Sequence, residues 1–126
     1  MAAGCSGVRN LPDVRTYTDQ VGQRKEVSAG LYTMPYGRLH RNDAGLWELY
    51  VAGDPLARGL TNGKLTEELL EKQEAAFVGK LAELVPSRSR QRLLRGFLRF
   101  FNRRLVKHVP PEYQAEIYGL SQSASH

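Results

Sequence analysis

The sequence predicts an α+β domain in which an N-terminal β-hairpin is followed by three to four helices. Two observations lead to this prediction. Short β-prone segments occur between residues 31 and 51, whereas the apolar spacing from residue 55 onward has the period of helices. The chain of 126 residues has the length of one domain, which we place at residues 30–126, after a flexible segment at residues 1–29.

The predicted hairpin has two strands. The first covers residues 31–34 and is weakened by the Pro35 and Gly37 that follow it. A turn composition at residues 41–45 leads into the second strand at residues 46–51. One face of this second strand is entirely apolar and is expected to face the core: Trp47, Leu49 and Val51.

A short helix is predicted directly after the hairpin, at residues 55–63. Asp54 can cap it, and Pro55 suits its first position because the N–H that proline lacks has no helical partner there. Gly59 and Gly63 are four residues apart and therefore lie on the same helical face. We expect another backbone, that of a strand, to approach this face closely.

Three longer helical patterns follow, at residues 65–85, from Ser87 to about Val109, and at residues 112–125. Their apolar stripes are expected to form the core: Leu69, Leu70, Phe77, Leu81 and Leu84 in the first, Leu94, Phe97, Leu98, Phe101, Leu105 and Val109 in the second, and Tyr113, Ile117 and Leu120 in the third. The last helical pattern has no stop signal before His126, so the domain is expected to be incomplete at its C-terminal end.

Composition limits the class of protein. Hydrophobic residues make up 41% of the chain and charged residues 25%, which are values typical of a folding chain rather than a disordered one. No apolar run approaches the roughly 18 residues that a membrane span needs. Cys5 is the only cysteine, so the chain has no internal disulfide framework.

The formal net charge is +5, and the basic residues are concentrated in the second long helix, where no acid occurs between residues 88 and 107. Its basic stripe could bind an anionic partner, either nucleic acid or a lipid surface, or could be a solvated face that complements an acidic neighbour. Because no nucleic-acid recognition module is present, we do not expect nucleic acid as the partner. The residues that would face an anion are Arg92, Arg95, Arg99 and Arg103.

No catalytic constellation is evident in the sequence. His40, His108 and His126 have no metal-ligand spacing with another histidine, cysteine or carboxylate, so we expect no metal site and no cofactor. The segment Ala3-Gly4-Cys5 is similar to the end of a bacterial lipoprotein signal. Cys5 is therefore a candidate lipidation site, which would place the protein in the bacterial envelope or periplasm, or simply a free thiol in a flexible terminus.

Two motifs carry a resemblance to a known family. The first begins with Gly53, Asp54 and Pro55 and continues to Gly59 and Gly63; the second contains Tyr113, Glu116 and Gly119. From about Leu46 onward, these motifs and their order resemble the front part of autoproteolytic acyltransferases and amide hydrolases of the penicillin acyltransferase type. That family belongs to the N-terminal-nucleophile hydrolases.

The resemblance implies part of an αββα sandwich and a nucleophilic cysteine downstream of the last matched helix, exposed when the precursor cleaves itself. No residue of this chain matches that cysteine, and Cys5 lacks the family's surrounding pattern. The chain would then be a non-catalytic α-chain or pro-segment. Its partner would be the remaining β-chain or a second copy. The substrate of the parent enzyme would be a small acyl amide or acyl thioester. The basic stripe could then face the missing chain or an anionic substrate such as a coenzyme A thioester.

Two other interpretations remain open. The chain could be a stand-alone basic interaction module that binds nucleic acid or an anionic surface through the helix at residues 88–103. It could also be a small envelope lipoprotein in which Cys5 makes the only contact with the membrane.

Overall fold

The α+β class is confirmed by the computed structural model, which describes residues 13–123. The described part contains a four-stranded antiparallel sheet and four helices. The elements in chain order are α1 Val14–Val21, β1 Lys25–Ser28, β2 Leu31–Met34, β3 Gly37–Arg41, β4 Trp47–Val51, α2 Pro55–Leu84, α3 Arg88–Asn102, a 3-10 turn Leu105–His108 and α4 Pro111–Ser121.

The sheet is a meander in the order β1-β2-β3-β4. The predicted pairing of residues 31–34 with residues 46–51 is wrong, because β3 lies between these two strands. Pro35 and Tyr36 form a two-residue connection, across which Met34 pairs with Gly37. Proline therefore ends one strand and allows the chain to turn. The strand that follows was missed because Leu39 is its only apolar residue.

The segment 1–29, expected to be flexible, contains α1 and β1 within its described part. The Asp13 carboxylate caps α1 by accepting a hydrogen bond from the Arg15 backbone N–H at 3.0 Å. Val21, at the end of α1, is fully buried in the core. The folded domain therefore begins before residue 30, and α1 was missed because an eight-residue helix gives little periodic signal.

Helix α2 is one continuous helix of 30 residues, so the predicted break between residues 63 and 65 is wrong. Its predicted start is confirmed. The Asp54 carboxylate accepts hydrogen bonds from the backbone N–H groups of Leu56 and Ala57, both at 3.1 Å, and Pro55 occupies the first turn. Gly59 and Gly63 lie inside the helix, where their packing offsets their low helix propensity.

The core lies between the sheet and the first half of α2. It is made of buried residues from α1, β2, β3 and α2: Val21, Met34, Leu39, Leu56, Ala57, Leu60 and Leu65. The inward orientation expected for β4 is present only in part: Val51 packs against the core, whereas Leu49, which pairs with Leu39, is 40% exposed. Trp47 is 38% exposed. The opposite face of the sheet presents exposed side chains, among them Arg38, His40 and Tyr50.

The apolar stripes predicted for the long helices are largely exposed, so most of the core prediction for them is wrong. Phe77 and Leu84 of α2 are 65% and 72% exposed, and α3 has no buried residue. Helix α3 also ends at Asn102 rather than near residue 109. The periodicity predicted helices correctly, but apart from Leu69, which packs against the core, the described elements bury none of these stripe residues.

Helix α4 packs through a different face from the one predicted. Tyr113 and Ile117 are 51% and 56% exposed, whereas Ala115 and Tyr118 pack against the core and Gly119 is buried. Small residues on this face allow α4 to come closer to α2 than a stripe of large residues would permit. The apolar pattern alone therefore selected the wrong side of the helix.

Candidate functional site

The two motifs that carry the family resemblance meet where α4 crosses the first turns of α2. Gly59, Gly63 and Gly119 lie at this contact, which we call the glycine junction. A Cβ atom on Gly59 would collide with the Glu116 carbonyl oxygen. A Cβ atom on Gly119 would lie 2.7 Å from the Leu56 carbonyl oxygen. Glycine is therefore required at both positions, because backbone atoms occupy the space of a side chain.

The close approach expected at Gly59 and Gly63 is present, but the approaching backbone belongs to a helix and not to a strand. A Cβ atom on Gly63 would lie 3.1 Å from the Leu120 carbonyl oxygen and 2.6 Å from the Ser123 hydroxyl. Spacing along one helix identifies the face that is approached but carries no information about the type of element that approaches it.

An ion pair fixes the rotation of α4 at the glycine junction. Arg58 donates hydrogen bonds from Nε and Nη2 to the Glu116 carboxylate at 3.2 and 3.0 Å. Both side chains are 30% exposed, so solvent screens this pair less than a fully exposed one. Glu116 was singled out in the sequence, and its partner Arg58 was not. The signal that could have found it is an arginine beside Gly59 and an acid three residues before Gly119.

The remaining motif residues have separate positions. Gly53 has a φ angle of 96°, a left-handed conformation that favours glycine, and it joins β4 to the cap at Asp54. Tyr113 is half exposed and lies outside the glycine junction. The structure therefore brings together Gly59, Gly63, Glu116 and Gly119 and places the others at the helix start or at the surface.

An apolar groove runs beside the glycine junction between α2 and α4, with a volume of about 670 Å³. Leu70 and Phe77 line it from α2, and Ile117 and Leu120 line it from α4. Phe77 and Ile117 are more than half exposed on its walls. The groove can therefore accept an apolar group or the side chains of another segment.

A second polar cluster lies at the other edge of α2 and was not foreseen. The Arg24 guanidinium donates two hydrogen bonds to the Glu68 carboxylate and lies 4.5 Å from the centre of the Tyr32 ring. The hydrogen bond from Arg24 lowers the pKa of Glu68 to about 2, and it also raises the pKa of Arg24. A carboxylate that stays ionised in this way suits a structural pair better than a general acid. The separation of 44 positions between the partners explains why sequence reasoning missed them.

Three of the four arginines of the predicted basic stripe lie on α3, the fourth follows directly after the end of the helix, and all four are exposed. Within residues 13–123, none of them lies within salt-bridge distance of a carboxylate. The Arg103 guanidinium lies 3.9 Å from the centre of the Phe100 ring. The stripe is therefore exposed to solvent, and its contact with an anion stays a prediction. Its members are Arg92, Arg95, Arg99 and Arg103.

The other candidate groups do not form a reactive centre in the described part of the chain. His40 lies on the exposed face of the sheet, 3.9 Å from the Glu48 carboxylate. His108 ends the 3-10 turn, whereas His126 and the candidate lipidation site Cys5 lie outside the described residues. Within the described residues there is no cluster of three or more histidine, cysteine or acidic side chains able to hold a metal ion.

Comparison with known proteins leaves the family assignment as a prediction. No protein-family model, curated protein or solved structure matches this chain. The α+β class rests on the structure itself. The predicted relationship to N-terminal-nucleophile hydrolases rests on the two sequence motifs.

Proposed function

We propose that the chain is the non-catalytic front segment, an α-chain or pro-segment, of an acyltransferase or amide hydrolase of the N-terminal-nucleophile type. The thiol of a downstream cysteine, exposed by autoproteolysis, would attack the amide or thioester bond of a small acyl substrate. One observation carries the proposal: the two motifs on which the resemblance depends, more than 40 residues apart in sequence, pack against each other in the glycine junction.

This contact gives the two motifs a single physical role. Gly59 and Gly119 leave room for the backbone of the opposite helix, and Arg58 pairs with Glu116 across the same contact. A motif that served only its own helix would not need a matching residue in the other. The two motifs are therefore expected to occur together, as they do in the family that the chain resembles.

The arrangement of layers supports the same proposal. Helix α2 covers one face of the sheet, and the opposite face presents exposed side chains such as Arg38 and Tyr50. A sheet with helices packed on one side corresponds to half of an αββα sandwich. The groove between α2 and α4 is the surface that this segment would offer to the remaining chain or to a small acyl group.

The test is the mass of the protein purified from its natural source, measured under denaturing and under native conditions. We expect the sequence to occur in a larger chain, or in a piece that stays bound to a second chain whose first residue is cysteine. A species of 14.2 kDa that remains alone under native conditions would contradict the proposal. N-terminal sequencing of any second chain separates autoproteolysis at cysteine from unrelated cleavage.

Two matched variants connect the test to the glycine junction. Gly59→Ala should reduce the amount of assembled protein, because the added methyl group meets the Glu116 backbone. Gly79→Ala in the same helix meets nothing within 4 Å and should leave assembly unchanged. The isolated chain should have no amide hydrolase activity, and turnover that Cys5→Ser abolishes would assign the nucleophile to this chain instead.

A further inference from the structure

Helix α3 presents apolar side chains that no described element covers. Four of them form a surface that we call the aromatic strip: Leu93, Phe97, Phe100 and Phe101 are 75%, 56%, 56% and 62% exposed. Phe101 packs against both of the other rings, with ring centres 4.3 Å from Phe97 and 5.5 Å from Phe100. A continuous exposed apolar surface of this kind is typical of an interaction site.

Four of the five arginines of α3 lie on the side of the helix opposite the strip, and Arg90, in the first turn, lies on the same side as the strip. Each residue turns an α-helix by about 100°, which places Arg92, Arg95 and Arg99 on one face and Phe97 near the centre of the other. Arg103 lies at the border, with its guanidinium against the Phe100 ring. The helix thus has a basic face and an apolar aromatic face of similar length.

We propose that α3 lies in the plane of an anionic lipid surface. The aromatic strip would enter the boundary between headgroups and acyl chains, and the arginines would contact the headgroup phosphates. The long arginine side chains can reach outward to the phosphates while the helix lies below them. Within residues 13–123 no helix is long and apolar enough to cross a membrane, so this contact would be at the surface of the bilayer.

Charge complementarity decides between a lipid surface and other partners. Eight arginine and lysine residues occur from residue 88 to residue 107 without an acid. Nucleic acid would pair with these charges but would leave the exposed apolar strip without a partner. A second copy of the chain would cover the strip but would leave the basic face, on the opposite side of the helix, without a partner. An anionic bilayer satisfies both faces of the helix at once.

This inference does not depend on the proposed function. It develops the open interpretation in which the helix at residues 88–103 binds an anionic surface, and it differs from the lipoprotein interpretation, in which Cys5 makes the only contact with the membrane. The test is co-sedimentation of the full chain with lipid vesicles, made either of phosphatidylcholine alone or of equal parts of phosphatidylcholine and phosphatidylglycerol. Every protein tested carries Cys5→Ser. We expect binding to the mixed vesicles to be at least about 25-fold stronger, because each of at least two arginines near an anionic surface contributes about 1 kcal/mol, a factor of about 5. This preference should decrease as salt is added.

Two double variants test the two faces of α3. Phe97→Ser with Phe101→Ser should weaken binding at least about 10-fold, because two large apolar side chains no longer enter the bilayer. Arg92→Gln with Arg99→Gln should weaken binding about 25-fold to mixed vesicles only. The matched control is on the exposed sheet face, where Tyr50→Ser removes an equally exposed aromatic ring and should leave binding unchanged.

A tryptophan reporter shows which surface enters the bilayer. Trp47 lies in the sheet, so its fluorescence should not shift when mixed vesicles are added. In a Trp47→Phe variant that also carries Phe97→Trp, emission should move to shorter wavelength with mixed vesicles. The far-UV circular dichroism of each variant verifies folding, because the strip lies outside the buried core.

Several results would overturn the inference. One is equal binding to both vesicle types, or none to either. A second is binding to duplex DNA or single-stranded RNA that exceeds binding to mixed vesicles and does not change with Phe97→Ser and Phe101→Ser. A third is a dimer that these two substitutions dissociate, with no vesicle binding in either form, because the strip would then be an interface between copies.

Discussion

Replacement of Gly59 by alanine tests whether the glycine junction holds the domain together. In the interior of a helix, alanine is favoured over glycine by about 1 kcal/mol, so the substitution would stabilise α2 in isolation. In the folded chain, the new methyl group would collide with the carbonyl oxygen of Glu116 and lie 2.8 Å from its carbonyl carbon. These are backbone atoms, so α4 must move as a unit to make room.

The magnitude follows from these two opposing effects. Insertion of a methyl group into a packed contact costs about 1–3 kcal/mol, and the upper end applies where backbone must shift. Subtracting the helix-propensity gain, we expect Gly59→Ala to lower the free energy of unfolding by about 2 kcal/mol. Gly79 lies in the same helix, and a Cβ atom added there would have no neighbouring atom within 4 Å. Gly79→Ala should therefore raise the free energy of unfolding by up to about 1 kcal/mol.

The measurement is urea unfolding of the two variants and the wild type, followed by far-UV circular dichroism. The two substitutions should differ by about 3 kcal/mol, with opposite signs relative to the wild type. If Gly59→Ala were as stable as Gly79→Ala, α4 would not pack against α2 in this way. The reasoning about the glycine junction would then be refuted.

Two further predictions concern single contacts of α2. Asp54→Ala should lower the free energy of unfolding by about 1 kcal/mol, because the N–H groups of Leu56 and Ala57 lose their acceptor. Urea unfolding at neutral pH measures this loss, and an unchanged midpoint would argue against the cap. The Glu68 pKa is lowered from 4.5 to about 2, so its pairing with Arg24 stabilises the fold fully above about pH 4.5 and loses this effect as the pH falls toward 2. Because the Glu68 side chain is 55% exposed, Glu68→Gln should cost no more than about 1 kcal/mol at neutral pH. Acid titration of unfolding should show the two proteins converging near pH 2, and a constant difference would contradict the assignment.

Features set by neighbouring residues could be predicted from the sequence. The start of α2 needs only a carboxylate and a proline in consecutive positions, and Asp54 and Pro55 supply them. The turn at residues 41–45 is likewise local and connects β3 to β4. The end of α2 at Leu84 follows from Pro86, because a residue before proline is pushed out of the helical conformation.

Features set by distant residues could not be predicted. Leu39 alone marks β3 as buried, so one strand of the sheet gave no alternating pattern. Arg24, directly before β1, pairs with Glu68 of α2, and the sequence around either residue does not indicate the other. The inward face of α4 was assigned to large residues such as Ile117, whereas Gly119 makes the contact because a small residue permits the closest approach.

The distribution of burial separates residues that hold the fold from residues that are free to bind a partner. The buried core uses α2 only up to Leu65, and no side chain from residue 71 to residue 105 is buried. The conformational entropy lost when this stretch becomes ordered is therefore not offset by a buried core of its own. Its apolar atoms are available to another surface. Changes at Phe97 should consequently affect vesicle binding and leave unfolding unaltered, whereas changes at Gly59 should affect unfolding and leave the lipid-facing helix intact. If either substitution altered both properties together, the glycine junction and α3 would have to act as one unit.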